Sequence, residues 1–516
     1  MSVSAPAPPA GSKYARPAPA SSFAASASST DGHADSPREH ASHAASRSEA
    51  AASEPAPDAE SPGDAVADGS IAPAKAGGCA LPPPNAERED WLVALFTRFL
   101  GRERSRAALS IGDQAIVSGT NFVTSVLIGR AAGKEALGVY LLAITLILFV
   151  RGVQEQIVNG PYLVYCHKRR GTRLARYAGS VLYHEGLWLL ATALGLLGLA
   201  IYLNLGGEPS GLRDSSWVLI AAVPLILFRD FARQIAFGHF RSGTAVLLDV
   251  SVAALQIAGL GALFLAGTLT VPSAFGVMGA ACLIVCTPWC LRFVRGVRFR
   301  AKAVRNDWRR NWRFGRWALA THLLHGASHW LMPWVVALVD GEEATGIFAA
   351  GTSMVGIANM FVLGLAYYVC PKAAERFHTD GLPGLRRVLR GASLAFSAVL
   401  APFVVVCWAF GDQFSTLIFT DAFAGAGMVL AVLAVNMWAN ALSITCGNGL
   451  WAVERPDANF TADVVSLVVV AVCTVALIGT YGVVGAAMAM AIGGWMDVLA
   501  RYVALRRVLR GIEARR

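Results

Sequence analysis

The sequence predicts an all-α membrane protein built from two six-helix lobes, and three observations lead to this fold class. The chain of 516 residues is 55% hydrophobic and only 15% charged, whereas soluble domains carry about 25% charged residues. Its apolar residues gather in segments long enough to cross a hydrocarbon core of about 30 Å as helices. The two halves of the chain also share short matches at nearly constant spacing. A simple cytosolic enzyme and a secreted disulfide scaffold are therefore excluded.

The first part of the chain differs in composition from the rest. Residues 1–84 consist mainly of Ala, Ser, Pro, Gly and acidic residues, with no Leu or Trp before Leu81. Such a segment buries too little apolar surface to offset the entropy of ordering, so we predict a disordered cytoplasmic tail. In residues 85–105, leucine and phenylalanine recur at helical spacing with arginines between them. This pattern predicts a short amphipathic helix lying on the membrane surface.

Twelve apolar segments follow, and we divide them between an N-lobe at 106–300 and a C-lobe at 301–516. Each segment is long enough to span the bilayer as one helix. The predicted spans are 107–129, 137–158, 177–201, 215–237, 244–266, 274–291, 315–339, 344–369, 390–410, 425–452, 458–480 and 483–505.

The distribution of Lys and Arg predicts the orientation in the membrane. With a cytoplasmic N-terminus, the inside segments outside the tail carry 35 basic residues and the outer loops carry 3. Because cytoplasmic loops are enriched in Lys and Arg, both termini are expected in the cytoplasm. The net charge of +10 is then explained by lipid head groups and topology, and we expect no nucleic-acid partner.

An internal repeat relates the two halves. Ala136–Tyr140 opens the second span and Ala344–Phe348 opens the eighth, an offset of 208 residues; Gly276–Ala281 matches Gly482–Ala487 at an offset of 206. Six spans per half give both lobes the same orientation, so their pseudo-twofold axis should run along the membrane normal. A substrate site is then expected between the lobes near the midplane, unless the matches are chance similarity among apolar helices.

Polar residues follow one face of the first helix of each lobe. The first span carries the stripe Gln114, Ser118, Asn121 and Ser125. The shift of 208 residues places His322 and His329 at equivalent positions of the seventh span, and His325 lies on the same face. Polar side chains facing lipid are costly, so both stripes should line a cavity or bond between helices. Three histidines could also relay protons. They lack an acidic or Cys ligand nearby, so we predict no metal site.

Arg151 is the most unusual residue of the spans. It lies 14 residues into the second span, roughly 21 Å from its outer end. A charge at that depth requires a partner or water. Glu155, one turn away, could neutralise it; otherwise the guanidinium could hold an anionic head group through paired hydrogen bonds. The shift of 208 places the polar Asn359 at the equivalent position.

Further charges lie near the cytoplasmic ends of the fourth and fifth spans. Arg229, Asp230, Arg233 and Asp249 are close enough in the predicted topology to pair with one another. Paired charges that hold helices together are the interpretation we favour over a binding site here.

The chain lacks the motifs of nucleotide hydrolases, zinc proteases and serine esterases. Ser110–Arg130, followed by Gly133–Tyr140, resembles the start of polysaccharide biosynthesis flippases of the multidrug/oligosaccharidyl-lipid/polysaccharide exporter superfamily. The resemblance implies a V-shaped cavity lined by the first, second, seventh and eighth spans, alternating access and a location in the cell inner membrane. It also implies a lipid-linked glycan cargo, often on a polyprenyl pyrophosphate carrier, with other polysaccharide assembly proteins as candidate partners.

Three functions remain open at this point. A flippase that moves a lipid-linked oligosaccharide to the outer leaflet, with Arg151 as anchor, agrees best with the residues. A proton- or sodium-coupled drug/cation antiporter needs a cavity carboxylate, for which Asp113 and Glu155 are the candidates. A membrane-embedded glycan transferase needs a large loop with paired acids, whereas the outer loops are short. We therefore predict a transporter that is not an enzyme and has no cofactor.

Overall fold

The computed structural model describes residues 102–239 and 241–514. Within these ranges the side chains of residues 102–111, Asp113, Ser242 and Tyr367 are not described. The predicted tail at 1–84 lies outside the described residues. The predicted surface helix at 85–105 also lies outside them, apart from 102–105, which begin the first described helix.

The described residues form helices and turns and no strand. A π-helix at Glu155–Asn159 interrupts the second span, and a 3-10 helix at Cys166–Lys168 follows its last α-helical piece. The α-helices are α1 (Arg102–Gln154), α2 (Gly160–Tyr165), α3 (Gly171–Asn204), α4 (Arg213–Gly238), α5 (Ser242–Leu265), α6 (Val271–Gly296), α7 (Ala301–Ile418), α8 (Ala426–Ala452) and α9 (Pro456–Glu513).

Four glycines divide the longest helices into membrane-length pieces. Eight helices of the described chain are long and apolar enough to cross a membrane. Gly133 in α1, Gly341 and Gly381 in α7 and Gly482 in α9 have non-helical backbones with positive φ, a conformation that glycine adopts readily. The described part therefore contains twelve segments, numbered here as spans 1 to 12. Each contains one predicted span to within one residue.

The internal repeat is visible in the backbone. Gly133 has φ 82° and ψ −169°, and Gly341 has φ 83° and ψ 179°. The two residues stand 208 positions apart, which is the offset of the sequence matches, and each separates the first two spans of its lobe. The repeated sequence therefore folds into the same bent helix pair twice.

The two lobes meet where span 2 crosses span 8. A Cβ atom on Gly138 would lie 2.1 Å from the carbonyl oxygen of Glu342, and one on Gly346 would lie 1.9 Å from that of Lys134. A shift of 208 residues converts the first contact into the second, as expected at a twofold-related interface. Glycine at both positions allows the two backbones to touch.

Ion pairs and hydrogen bonds join the lobes around this crossing. Arg130 of span 1 donates to the carbonyl oxygens of Ile418 (Nε, 2.7 Å) and Leu417 (Nη2, 2.6 Å) at the end of span 9. Lys134 Nζ lies 2.6 Å from Glu343 Oε1. We call this end of the molecule the closed end, and we call the opposite end, where the helices meet the arginine-rich linker at 292–316, the basic end.

Candidate functional site

Arg151 lies in span 2, one turn before the α-helix gives way to a π-helix. The π-helix Glu155–Asn159 begins one turn after Arg151, and Pro161 follows it. Proline has no N–H to donate to the preceding turn, so a regular α-helix is interrupted here. Short π-helical stretches inside α-helices occur frequently at functional sites.

Arg151 lines a cavity inside the N-lobe. The cavity has a volume of about 110 Å³, and its polar lining comes from spans 1, 2, 4 and 5: Thr120, Asn121, Arg151, Arg229, Asp230, Asp249 and Gln256. Arg151 Nε lies 3.0 Å from Asp230 Oδ2. The partner is therefore a residue of span 4, and not Glu155 of the same helix. Glu155 instead accepts hydrogen bonds from Gln234 at 3.1 Å and from Asn159 at 3.4 Å.

Three arginines cover two buried aspartates beside this cavity, and we call these five residues the N-lobe cluster. Arg229 contacts both Asp230 and Asp249, and Arg233 Nε lies 2.7 Å from Asp249 Oδ2. The side chains of Asp230 and Asp249 are 5% and 0% exposed, whereas that of Arg151 is 34% exposed. The accessible charge of this cluster is therefore the Arg151 guanidinium. The arginine–aspartate clamp predicted between spans 4 and 5 is also present.

The C-lobe holds a second cluster beside a cavity of about 50 Å³. His325 Nδ1 of span 7 lies 3.0 Å from Asp463 Oδ1 of span 11. Arg501 of span 12 pairs with Asp463, and its Nε lies 3.0 Å from Asp497 Oδ1. The His325 side chain is 55% exposed, whereas those of Asp463 and Arg501 are each 8% exposed. Here too the accessible member of the cluster is the basic one.

Each cluster is centred on a buried aspartate at a related position of its lobe, but the arginines that pair with this aspartate come from different spans. Asp249 in span 5 and Asp463 in span 11 are 214 residues apart and are both buried. Their arginines come from span 4 in the N-lobe and from span 12 in the C-lobe. Arg501 follows Asp497 by four residues, a spacing that in a helix is a sequence signal for an ion pair.

The three histidines of the polar stripe on span 7 lie in two different environments. His325 and His329 line the C-lobe cavity. His322 instead packs against span 2, because a Cβ atom on Gly152 would lie 2.2 Å from His322 Nε2. The His322 ring also lies 4.9 Å, between centroids, from the Trp330 ring. The three histidines therefore do not form one group.

The other candidates of the sequence occupy different surroundings. Asn121 is exposed and lines the N-lobe cavity with Arg151. Gln114 is half-buried and donates from Nε2 to Ser118 Oγ at 3.4 Å. Asn359 is half-buried on span 8 and is not among the residues that line the two cavities. Asp113 lies in α1, and its side chain is outside the described part of the structure.

The buried carboxylate of Glu185 is a site feature that the sequence analysis did not predict. Gln154 Nε2, three residues after Arg151, donates to Glu185 Oε1 of span 3 at 2.8 Å and to the carbonyl oxygen of Leu227 at 3.0 Å. Both side chains are fully buried. The contact ties spans 2, 3 and 4 together behind the cavity. Only the position of Glu185 within an apolar segment could have drawn attention to it.

Spans 2 and 7 pack against each other across the two lobes, whereas several positions of spans 1 and 8 are open. Along the seam of spans 2 and 7, Trp334 donates to Thr145 at 3.1 Å, Phe149 stacks edgewise on Trp330, and Gly152 contacts His322. On spans 1 and 8, a Cβ added to any of four glycines would meet no heavy atom within 4 Å among the described residues: Gly112, Gly119, Gly356 and Gly364. These positions therefore leave space beside the two helices.

Comparison with known proteins gives one curated relative and a set of solved structures. No family profile matches the chain. A probable low-salt glycan biosynthesis flippase, Agl15 of Haloferax volcanii, is 22% identical over 163 residues, which cover 32% of this chain. The match spans about a third (34%) of that relative's own length.

The solved structures decide the fold. An inward-facing multidrug resistance transporter of the MATE family, from the MOP superfamily, superposes with a TM-score of 0.66 at 12% identity, over 78% of this chain and 96% of the other. The lipid II flippase MurJ in an inward closed conformation gives 0.65 at 12% identity, over 78% and 87%. The chain has the fold of these transporters. It is a multi-pass membrane protein, and its described residues form twelve membrane-length helical segments in two lobes.

An outward-facing MATE transporter gives a TM-score of 0.53 at 13% identity, over 79% of this chain and 95% of the other. The chain therefore superposes more closely on the inward-facing transporter than on this outward-facing one.

Proposed function

We propose that the protein is an alternating-access flippase that moves a lipid-linked oligosaccharide or polysaccharide precursor from the cytoplasmic to the outer leaflet. The observation that carries the proposal is the basic side chain that each lobe presents to its cavity. Arg151 is accessible over a buried Asp230, and His325 over a buried Asp463. Basic groups presented to a membrane cavity favour an anionic cargo such as a pyrophosphate-linked glycan, because guanidinium binds phosphate oxygens through paired hydrogen bonds.

The same arrangement disfavours a cation antiporter. A cationic drug needs an accessible carboxylate, and the aspartates of both clusters are covered by arginine or histidine. Glu155 is held by Gln234 and Asn159. Asp113 keeps its place as the coupling candidate of this alternative. The membrane transferase is disfavoured because the solved structures with this fold are transporters.

A lipid-linked cargo needs a path that opens to the bilayer. A head group moving between the lobes remains attached to a tail in the bilayer, so one side of the path must open laterally. We place this opening beside spans 1 and 8, where four glycines leave space, because spans 2 and 7 are packed against each other. Rocking of the lobes about the Gly138–Gly346 crossing would then exchange access from the basic end to the closed end.

The proposal places both termini in the cytoplasm of a cell inner membrane, as the distribution of Lys and Arg predicts. The basic end then faces the cytoplasm, where the cargo binds, and the closed end opens to release it. The protein carries out no covalent step and needs no cofactor. Membrane potential, worth about 2.3 kcal/mol per charge per 100 mV, can drive the movement of an anionic head group. Other polysaccharide assembly proteins are the expected partners.

Thermal unfolding of detergent-purified protein tests the proposal. A ligand that binds only the folded state raises the unfolding midpoint by mass action. We expect a polyprenyl pyrophosphate oligosaccharide to raise the midpoint of the wild type but not that of Arg151→Ala. As a matched control, Arg173→Ala alters an exposed arginine at the start of α3 and should behave like the wild type.

The same measurement with a panel of cationic dyes tests the antiporter alternative. Stabilisation by the dyes, with none by the lipid-linked glycan, would contradict the flippase and support the antiporter. Equal stabilisation of the wild type and Arg151→Ala by the glycan would retain the cargo and reject Arg151 as its anchor.

A further inference from the structure

A groove on the outer surface of the N-lobe is separate from the cavities described above. It has a volume of about 650 Å³ and lies between span 3, the π-helical stretch of span 2 and the first turns of α7. This volume is within the range of small-molecule sites. The residues used in the argument below are Tyr183, Leu187, Ala191, Arg300, Arg305 and Trp308.

The groove has an apolar wall and a basic rim. Tyr183, Leu187 and Ala191 are spaced by four residues, so they form one strip of about 12 Å along span 3. The side chains of Tyr183 and Leu187 are each 49% exposed. Arg300 and Arg305 are exposed at the end of the strip on the basic side. Among the lining residues in the described part of the chain, no carboxylate balances these two charges.

The rim is held in place by contacts to span 3 and to the connection that precedes it. The His184 ring nitrogen Nε2 lies 3.0 Å from the carbonyl oxygen of Val304, and the His184 and Trp308 rings are 5.2 Å apart. Arg169 donates to Asp307 Oδ1 at 2.9 Å. The first turns of α7 are therefore fixed against the lobe, and the groove beneath them is a preformed feature of the fold.

We infer that this groove binds one anionic phospholipid of the leaflet at the basic end. The two arginines would hold its phosphate, and the strip on span 3 would hold an acyl chain. Basic pockets between transmembrane helices on the cytoplasmic side bind anionic head groups by this division of polar and apolar contacts. The inference is independent of the cargo, because the groove does not share its lining with the cavity that contains Arg151.

Native mass spectrometry of protein released from nanodiscs of phosphatidylglycerol and phosphatidylcholine tests the inference. We expect wild type to retain one phosphatidylglycerol in preference to phosphatidylcholine. Each basic residue near an anionic lipid contributes about fivefold in affinity, so Arg300→Gln with Arg305→Gln should weaken retention about 25-fold. Arg309→Gln with Arg313→Gln alters two exposed arginines of the same helix outside the groove and should retain the lipid as the wild type does.

A second variant tests the apolar wall with both arginines present. Ala191→Trp fills the strip and should also lose the lipid, with circular dichroism confirming that the helical fold is kept. Equal retention by the two double variants, or no preference for phosphatidylglycerol in the wild type, would overturn the inference. Displacement by inorganic phosphate at millimolar concentration would show a free-anion site, and displacement by an equimolar polyprenyl phosphate would show a site for the cargo's lipid. Either displacement would also overturn it.

Discussion

Replacing Gly138 with alanine should open the closed end of the molecule. The added methyl group would lie 2.1 Å from the carbonyl oxygen of Glu342, where ordinary contact begins at 3.4 Å. The obstacle is helix backbone, so spans 2 and 8 must separate to accept it. Overpacking of this kind costs about 1–3 kcal/mol. Because the contact exists only while this end is closed, the population should shift towards the open state by roughly 5- to 150-fold.

Distances between spin labels on the two lobes measure this shift. In a protein lacking its nine cysteines, labels at Leu205→Cys and Asp421→Cys would report on exposed positions of the closed end. Gly138→Ala should add a population at longer distance. Gly356→Ala is the matched control, since its methyl group meets no heavy atom within 4 Å. An unchanged distance distribution in Gly138→Ala would refute the role of the glycine crossing.

Two further predictions concern the buried clusters and the basic end. Asp463→Asn leaves the buried Arg501 with Asp497 as its one carboxylate partner among the described residues, so the unfolding free energy should fall by about 3 kcal/mol. An unchanged denaturation midpoint would contradict this. Beyond the end of span 4, burial and repulsion from Arg241 lower the pKa of His239 to about 4, against 6.5 normally. Its contribution, on the order of 3 kcal/mol, is present above pH 6.5 and lost as pH falls towards 4. His239→Gln should flatten that part of the stability profile, and an identical profile would show that His239 is not responsible.

The bent helix pairs could be predicted from the sequence because a duplicated unit leaves two copies of its turn. Glycine occurs at 133 and 341, and the residues after each glycine match at the same offset. Positive φ strongly favours glycine, so the repeated position had a physical reason to be kept in both copies. The lengths of the apolar segments then located the twelve spans.

The partners of the charged residues could not be predicted in the same way. A residue one turn away is the nearest candidate in sequence, which favoured Glu155 for Arg151. The fold instead brings Asp230 of span 4 to 3.0 Å. The contact of His322 could not be predicted either. The sequence identifies a polar face on span 7, but it does not show that the His322 ring packs against Gly152 of span 2. Contacts between helices depend on packing that helical periodicity does not specify.

Flipping by purified protein in liposomes tests the central claim most directly. A labelled lipid-linked oligosaccharide would be supplied in one leaflet, and its arrival in the other measured with a membrane-impermeant glycosidase. We predict transfer by the wild type and by Arg173→Ala, and loss of transfer by folded Arg151→Ala. No transfer by the wild type, together with proton- or sodium-driven exchange of a cationic dye, would contradict the account.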